Sequence, residues 1–331
     1  MKDNNYVVLV GGEFDQNYIF KDIEKLPNVK MILKTKCFNS RLANKAFSIL
    51  FSQKLNQKYQ PAIKSLFFRQ FFNKCSFNDE KQLVIIFIQG WYDKKLVRWL
   101  NKNHPEVIKV FYCDDTLGFY AKHIPSMNID TLGQEFEFVL CYNPGDVEKY
   151  GYTYTNAYFS KTPEAQIPYK GKFDISFVGH AKDRLHLIER VYQKLSTKFN
   201  LGFYIAGVNQ KDRKDLGIHY LEKNMSYSDY LGIEIGSDCI LELVKGDTDG
   251  CTFRAWEAVY YNKKLLTNWE GIKKFKYYDP RFMCYFSDPD HIDMAFLESD
   301  IEVDYGYAND NSPIHLLEKI DQLITERENK S

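Results

Sequence analysis

Short, continuous apolar runs alternate with helical segments along most of this chain. An apolar run of about four to eight residues is typical of a strand that is buried on both faces. Strands that alternate with helices predict a parallel sheet covered by helices on both sides. The runs of the first half are 6–10, 29–33, 83–88, 107–112 and 136–142. Those of the second half are 174–178, 202–207, 218–221, 239–244, 264–267 and 283–286.

The length of the chain predicts two such sheets. Domains usually have roughly 100–200 residues, and this chain has 331. We therefore expect an α/β protein with two Rossmann-like domains facing each other across a cleft, over residues 1–165 and 170–310. The extended stretch 162–172 is interpreted as the linker. A last helix within 311–331 is assigned to neither domain.

The overall charge argues against one class of partner. Lysine and arginine number 44, as do aspartate and glutamate, so the net charge is zero. A dedicated nucleic-acid binder usually carries a basic excess, so no nucleic-acid partner is expected.

One segment departs from this balance, since residues 25–78 contain eleven Lys or Arg and no Asp or Glu. Two amphipathic helices are predicted within it. The apolar faces are assigned to Leu42, Ala46, Ile49 and Leu50, widened by Phe47 and Phe51, and to Ile63, Leu66, Phe67 and Phe71. Either these faces belong to the domain core, or the helices attach the protein to an anionic membrane surface.

The cysteines and the N-terminus bear on location. The seven cysteines include no C-x-x-C pair, and several lie in apolar runs, so we expect buried, reduced thiols and a cytoplasmic protein. The apolar run after Met1 is too short for a signal peptide, and no run approaches the roughly 20 residues needed to span a bilayer. Peripheral attachment at the inner membrane face remains the other expectation.

Ligands of open parallel sheets bind outside the carboxyl ends of the strands, so the loops there are the candidate sites. The first such loop runs from Gly179 to Arg184. Gly179 would let a phosphate approach the backbone, and Lys182 and Arg184 would hold its charge at a helix start. The alternative is two solvated cations at a helix start, with His180 in a structural role. The dinucleotide fingerprint G-x-G-x-x-G is absent.

The second loop, after the run at 239–244, gives the stronger signal. It is polar, contains Asp249 and Gly250, and enters a helix directly. Arg254 and Glu257 are three residues apart and share a helix face, so Arg254 is a candidate for phosphate charge and Glu257 for two ribose hydroxyls. The alternative is an exposed salt bridge between the two, worth only tenths of a kcal/mol.

Candidate catalytic acids lie in the first half. Asp114 and Asp115 follow the run at 107–112, where they could act as a general base or cap the next turn. Glu13 and Asp15, after the first run and its glycines, are a second candidate base.

Several other chemistries lack their motifs. The seven histidines form no H-x-x-x-H pair and no cluster with cysteine, so no metal site and no cofactor are expected. There is no G-x-S-x-G elbow of an acyl hydrolase and no P-loop.

Across residues 135–290 the chain resembles bacterial GT-B glycosyltransferases of lipopolysaccharide or capsule synthesis. The resembling blocks are 139–152, 173–184, 225–242 and 250–268, and the most specific piece is R-x-x-E-A-x-x-x-x-K-x-L from Arg254. The resemblance implies that Glu257 binds the donor ribose and that Gly250 and Thr252 lie near the diphosphate. The family loop more often reads G-Q-x-G-L-T-x-R, whereas here the polar residue before Gly250 is Asp249, and an acid beside a diphosphate is unfavourable. Asp249 would point at a sugar hydroxyl or a helix amide.

The expected function is transfer of a sugar, hexosyl-like, from a nucleotide-sugar to a saccharide or lipid-linked acceptor in cell-surface polysaccharide synthesis. The nucleotide-sugar is a substrate, and backbone amides and cations would stabilise the leaving diphosphate in place of a metal. The sequence leaves the stereochemistry open. It also leaves two rivals, a two-lobed sugar- or nucleotide-binding protein without catalysis and a sugar-nucleotide epimerase.

Overall fold

The computed structural model describes residues 4–10, 19–56, 59–113, 115–124, 126–244 and 251–330. The chain divides into two compact units. The first consists of Met1–Ser160 together with Asn311–Ser331, and the second of Lys161–Asp310.

The first unit is built on a six-stranded parallel sheet in the order β2-β1-β3-β4-β5-β6. Its strands are β1 Asn5–Val10, β2 Val29–Leu33, β3 Leu83–Phe87, β4 Ile108–Cys113, β5 Phe138–Cys141 and β6 Thr153–Tyr154. Every residue of β1 is buried, as its continuous apolar run requires.

Helices with recognisable caps surround this sheet. The side chain of Asp93 accepts hydrogen bonds from the amides of Lys95 and Leu96 at the start of one helix, and Asn143 precedes Pro144 at the start of another. The helices are α1 Arg41–Leu50, α2 Gln53–Asn56, α3 Ser65–Cys75, α4 Lys94–Asn103, α5 Leu117–His123, α6 Leu132–Glu135, α7 Pro144–Tyr150 and, from the C-terminal segment, α12 Ile314–Glu328.

Helix α12, which the sequence assigned to neither domain, packs in the first unit. Leu316, Leu317 and Ile320 are fully buried in the core of that unit. The side chain of Asn4 donates a 2.8 Å hydrogen bond to Asp321, and the hydroxyl of Tyr6 also donates to it. The last helix thus covers the first strand.

The two helices of the basic segment are rotated relative to the prediction. Phe47 of α1, Phe51 just after it and Phe71 of α3 are buried as the periodicity predicted. Phe68 and Cys75 of α3 are buried as well, although they were not assigned to the apolar face. Four side chains that the periodicity placed inward are instead exposed: Leu42 by 80 %, Ile49 by 55 %, Ile63 by 55 % and Leu66 by 68 %. Rings dominate the packing because Phe47 contacts Phe51, Phe67, Phe71 and Trp91.

The second unit has its own six-stranded parallel sheet, in the order β12-β11-β10-β7-β8-β9. Counted from β7, this is the 3-2-1-4-5-6 order of a Rossmann sheet. The strands are β7 Phe173–His180, β8 Leu201–Ala206, β9 His219–Leu221, β10 Ser237–Glu242, β11 Lys264–Thr267 and β12 Met283–Tyr285. The helices are α8 Leu185–Leu195, α9 Tyr227–Ile235, α10 Phe253–Tyr260 and α11 Met294–Glu298.

The segment interpreted as a linker belongs to the second unit. A Cβ atom added to Gly232 of α9 would lie 2.1 Å from the carbonyl oxygen of Pro168, and one added to Gly236 would lie 2.1 Å from that of Gly171. Residues 168–171 therefore pack directly against α9, and the boundary between the units falls at Ser160.

The predicted α/β class with two Rossmann-like domains is confirmed by these two parallel sheets. Apolar clusters lie on both faces of the second sheet, with Phe177 and Leu241 in one and Ile240 and Leu265 in the other. Among the described residues, no helix has the length and apolar character needed to cross a membrane.

Candidate functional site

The candidate site lies where the strand order of the second sheet reverses. Strand β7 pairs with β8 on one side and with β10 on the other. The connections that leave β7 and β10 run in opposite directions, which opens a crevice at the carboxyl ends of these two strands. The two loops that the sequence singled out, 179–184 and 249–257, follow β7 and β10.

Two guanidinium groups tie these strand ends together. Arg254, from the start of α10, donates from Nη2 to the carbonyl oxygen of Val178 in β7. Arg184, after β7, donates from Nη1 to the carbonyl oxygen of Leu243 and from Nη2 to that of His180, the latter at 2.8 Å. Each arginine thus bonds protein carbonyls, and its role in phosphate binding stays a prediction.

The carboxyl end of β7 extends two residues beyond the predicted strand and has a tight geometry around Gly179. A Cβ atom at this position would lie 3.0 Å from Nη2 of Arg254, so the glycine makes room for the guanidinium. Lys182 has a φ of 47°, in the left-handed region that a non-glycine residue seldom adopts. Its side chain is exposed, whereas burial, with a further contribution from the charge of Arg254, lowers the pKa of Arg184.

A buried carboxyl fixes the start of α10. Thr252 is the N-cap, and its hydroxyl accepts a 3.2 Å hydrogen bond from the amide of Arg254 and donates to Glu242. The hydroxyl of Thr267 donates to the other oxygen of Glu242 at 2.5 Å. Burial raises the pKa of Glu242, although both hydroxyl groups favour its ionised form. Glu242 of β10 therefore joins β11 and the start of α10 at the strand ends.

Two tyrosines hold Glu257, the predicted ribose acceptor. Tyr227 of α9 donates a 2.8 Å hydrogen bond to its Oε1, and Tyr230 donates to its Oε2. The side chain of Glu257 is only 1 % exposed, and burial raises its pKa. The carboxyl is thus fixed in orientation.

A second buried acid, Glu234, faces the guanidinium group of Arg254. Its Oε1 lies 3.4 Å from Nε of Arg254. The guanidinium also lies over the rings of Phe177, at 5.3 Å, and Tyr230, at 5.8 Å. The alternative of an exposed salt bridge between Arg254 and Glu257 is wrong, because α10 is buried and its arginine pairs with Glu234.

Arg254, Glu234 and Glu257 form a buried charge cluster that has a net negative charge when both glutamates are ionised. Burial and the neighbouring Glu257 raise the pKa of Glu234 well above its usual range. The pKa of Arg254 is lowered by burial but raised, in balance, by Tyr230 and the surrounding acids. Burial thus opposes the ionisation of both acids, whereas the charge of Arg254 favours it.

Of the predicted site residues, Asp249 and Gly250 lie outside the described residues, as do Glu13, Asp15 and Asp114. Asp115 is described. Its Oδ1 accepts a 2.7 Å hydrogen bond from the amide of Thr116, which is the N-cap of α5. The next helix is therefore capped by Thr116, and the catalytic role of Asp115 stays a prediction.

Sequence reasoning missed Tyr227, Tyr230, Glu234 and Glu242. The first three lie three and four residues apart, hence on one face of α9, and this spacing was visible in the sequence. What the face contacts was not visible, because that depends on α9 lying beside α10. In the described residues, no group of three or more His, Cys, Asp or Glu is placed to hold a metal ion.

No family model matches this chain, and no curated protein matches it. It is similar to several solved structures at low identity. A spinosyn forosaminyltransferase shares 10 % identity with a TM-score of 0.49, over 98 % of this chain and 100 % of that one. An α,α-trehalose-phosphate synthase (UDP-forming) from Burkholderia xenovorans, in complex with glucose-6-phosphate, shares 10 % identity with a TM-score of 0.46, over 87 % and 90 %. A structure of trehalose-6-phosphate from E. coli, bound with UDP-2-fluoro glucose, shares 12 % identity with a TM-score of 0.45, over 96 % and 88 %.

Proposed function

We propose that this protein is a glycosyltransferase of the GT-B kind that holds a nucleotide-sugar at the crevice between β7 and β10. The observation that carries the proposal is that the two predicted donor loops leave adjacent strands at the point where the strand order reverses. Open α/β sheets bind nucleotides at this position. The R-x-x-E-A motif that resembles the transferases begins the helix on one side of it.

The parts of the site suit a sugar nucleotide. Glu257 is a rigid acceptor for ribose hydroxyls, because a carboxylate that already accepts two hydrogen bonds has further lone pairs. The first amides of α10 and the exposed ammonium of Lys182 favour the diphosphate. Arg184 and Arg254 contribute positive charge from behind the strand ends.

In the reaction, the bond between the anomeric carbon and the diphosphate oxygen breaks, and its electron pair leaves with the diphosphate. An acceptor hydroxyl oxygen forms the new bond to the anomeric carbon and loses its proton. Asp114, Asp115, Glu13 and Asp15 are the proposed bases for an inverting reaction. The acceptor proposed is a saccharide or a lipid-linked saccharide of cell-surface polysaccharide synthesis, which rests on the sequence resemblance alone.

Thermal-shift measurements against UDP-, GDP-, CMP- and dTDP-sugars test the binding step. A ligand of the folded state raises its stability by mass action, so one nucleotide class is expected to raise the melting temperature. Release of nucleoside diphosphate in the presence of saccharide acceptors then tests transfer. Binding without release would favour the two-lobed binding protein, and interconversion of the donor without an acceptor would favour an epimerase.

The variant Glu257→Gln tests the site itself. We expect at least a tenfold rise in the Kd for the nucleotide, equivalent to about 1.4 kcal/mol. The control is Glu189→Gln, which removes the charge of another buried glutamate of the second unit, one paired with Lys214 at 2.6 Å. An unchanged Kd in Glu257→Gln, or an equal loss in both variants, would show that Glu257 does not bind the donor.

A further inference from the structure

The outer face of the helices α1 and α3 combines exposed apolar side chains with unpaired cations. Among the described residues, eight large hydrophobic side chains are exposed, and five of them lie between Leu42 and Leu66. These are Leu42, Ile49, Tyr59, Ile63 and Leu66. Exposed apolar side chains are ordinarily scattered singly, so their concentration in one short segment requires an explanation.

The exposed apolar residues of this face are not needed to complete the hydrophobic core. The opposite, inner faces of the same helices already pack as a ring cluster, in which Phe51 contacts Phe68 and Phe71 contacts Trp91. The helices are antiparallel, because Phe51 at the end of α1 meets Phe68 early in α3, while Lys74 near the end of α3 reaches Asn39 ahead of α1 at 3.4 Å. The outward residues therefore lie on the far side of a finished helical layer.

The structure separates the cations of this segment into two groups. Lys64 is fully buried and pairs with Asp93, Lys34 donates to the carbonyl oxygens of Phe51 and Gly90, and Lys30 donates to that of Ser76. Seven other cations are exposed and form no ion pair within the described residues. They are Lys25, Lys36, Arg41, Lys45, Lys54, Arg69 and Lys74.

The exposed cations and apolar side chains alternate along each helix. In α1, Leu42, Lys45 and Ile49 follow at spacings of three and four, and in α3 Leu66 precedes Arg69 by three, so each set shares one exposed face. Each of the two antiparallel helices thus exposes cations and aliphatic side chains together on one face. A surface that offers both anionic headgroups and an apolar layer beneath them matches this pattern.

We propose that this face, the outer side of α1 and α3 with Ile63, docks on an anionic lipid bilayer. The cations would contact the headgroups, and Leu42, Ile49, Ile63 and Leu66 would enter the boundary with the acyl chains. The single sign of the charge favours a membrane over a second copy of this chain, because the same basic face on a partner would repel it. This docking does not depend on the glycosyl-transfer proposal.

Vesicle co-sedimentation of the full chain tests the docking. We expect binding to vesicles of phosphatidylglycerol and phosphatidylcholine at low salt, weak binding at high salt, and none to phosphatidylcholine alone. The double variants Leu42→Gln/Leu66→Gln and Lys45→Glu/Arg69→Glu should each lower partitioning by at least about tenfold. These residues are exposed, so near-UV circular dichroism should stay unchanged.

Matched controls lie in the second unit. Tyr169→Gln removes an apolar side chain that is 77 % exposed, and Lys211→Glu reverses an exposed charge, and both should bind vesicles like the parent. Absence of binding to anionic vesicles at low salt would overturn the proposal, as would an equal loss in the controls. A dimer in sedimentation velocity that dissociates in Leu42→Gln/Leu66→Gln would overturn it too, since a second copy would then cover the face.

Discussion

Replacing Arg254 with methionine should destabilise the second unit strongly and in a pH-dependent way. Methionine keeps much of the packing of the side chain but removes the charge that faces Glu234 and Glu257. Both carboxyls would then be buried without this cation, which favours their protonated forms, so we expect the folded variant to hold one proton more here than the parent.

The cost follows from the pKa of an ordinary glutamate. Protonating such a carboxyl costs about 3.7 kcal/mol at pH 7 and about 1 kcal/mol at pH 5. The lost hydrogen bond to the carbonyl oxygen of Val178 adds about 1 kcal/mol. We therefore expect the free energy of unfolding to fall by about 4–5 kcal/mol at pH 7 and by about 2 kcal/mol at pH 5.

The direction with pH follows from the raised carboxyl pKa values. A carboxyl whose pKa is higher in the folded state than in the unfolded chain stabilises the fold at low pH, and this contribution is lost as the pH rises through the folded value. The variant raises these pKa values further, because Arg254 no longer favours the ionised forms. Its deficit relative to the parent must therefore grow from pH 5 to pH 7.

Hydrogen exchange of the α10 amides in increasing urea gives the opening free energy of this region in each variant. The control is Arg190→Met, which breaks an exposed pair with Asp288 and should cost less than about 1 kcal/mol. Adding Glu234→Gln to Arg254→Met should recover part of the loss, since it removes one of the two acids. A deficit below about 1 kcal/mol at pH 7, or one independent of pH, would refute this account of the cluster.

Two further substitutions test the packing of each unit. Gly232→Ala should lower the free energy of unfolding by about 1–3 kcal/mol in urea titrations, because its methyl group would overlap the carbonyl oxygen of Pro168. The same change at Gly118, where nothing lies within 4 Å, should stabilise its helix by about 0.5–1 kcal/mol, so equal effects would contradict the packing argument. Lys64→Met should cost about 3–5 kcal/mol by leaving Asp93 buried without its cation, and Lys64→Met/Asp93→Asn should recover part of it; a single variant as stable as the parent would disprove this.

Much of the fold could be predicted because local signals agreed with the tertiary structure. Continuous apolar runs such as Val29–Leu33 and Lys264–Thr267 became strands with the predicted bounds. Strand β6 was missed, since two residues carry no periodicity. Helices α5 and α6 were missed as well, in a region where no helical pattern was assigned.

The orientation of α1 and α3 could not be obtained from periodicity, because both sides of these helices carry large apolar residues. Either an aliphatic or an aromatic side could have faced the core. Phe47 lies on the inner face because it packs there against rings of α3 and against Trp91. Those partners are distant in sequence. A helix with two apolar sides has an ambiguous pattern, which a single-sequence reading cannot resolve.

The candidate site was predicted in position more than in its interactions. Gly179 and Thr252 could be assigned to the site because each follows an apolar run that was predicted to be a strand, which does not require the strand order. Only the order of the strands in the sheet shows that β7 and β10 are neighbours. The hydrogen bonds from Arg254 to Val178 and from Arg184 to Leu243 could therefore not be predicted from the sequence. The tyrosines that hold Glu257 come from α9, whose partner helix is set by the same strand order.

The return of the last helix to the first unit has a consequence for synthesis on the ribosome. Asp321 and the buried Leu316 and Ile320 complete the surroundings of β1, yet they leave the exit tunnel after the whole of Lys161–Asp310 has emerged. The second unit, continuous in sequence, can therefore reach its native state while the unit that began first still exposes one side of its core. A nascent chain of this protein would therefore need chaperones to protect its first unit until helix α12 has emerged from the ribosome.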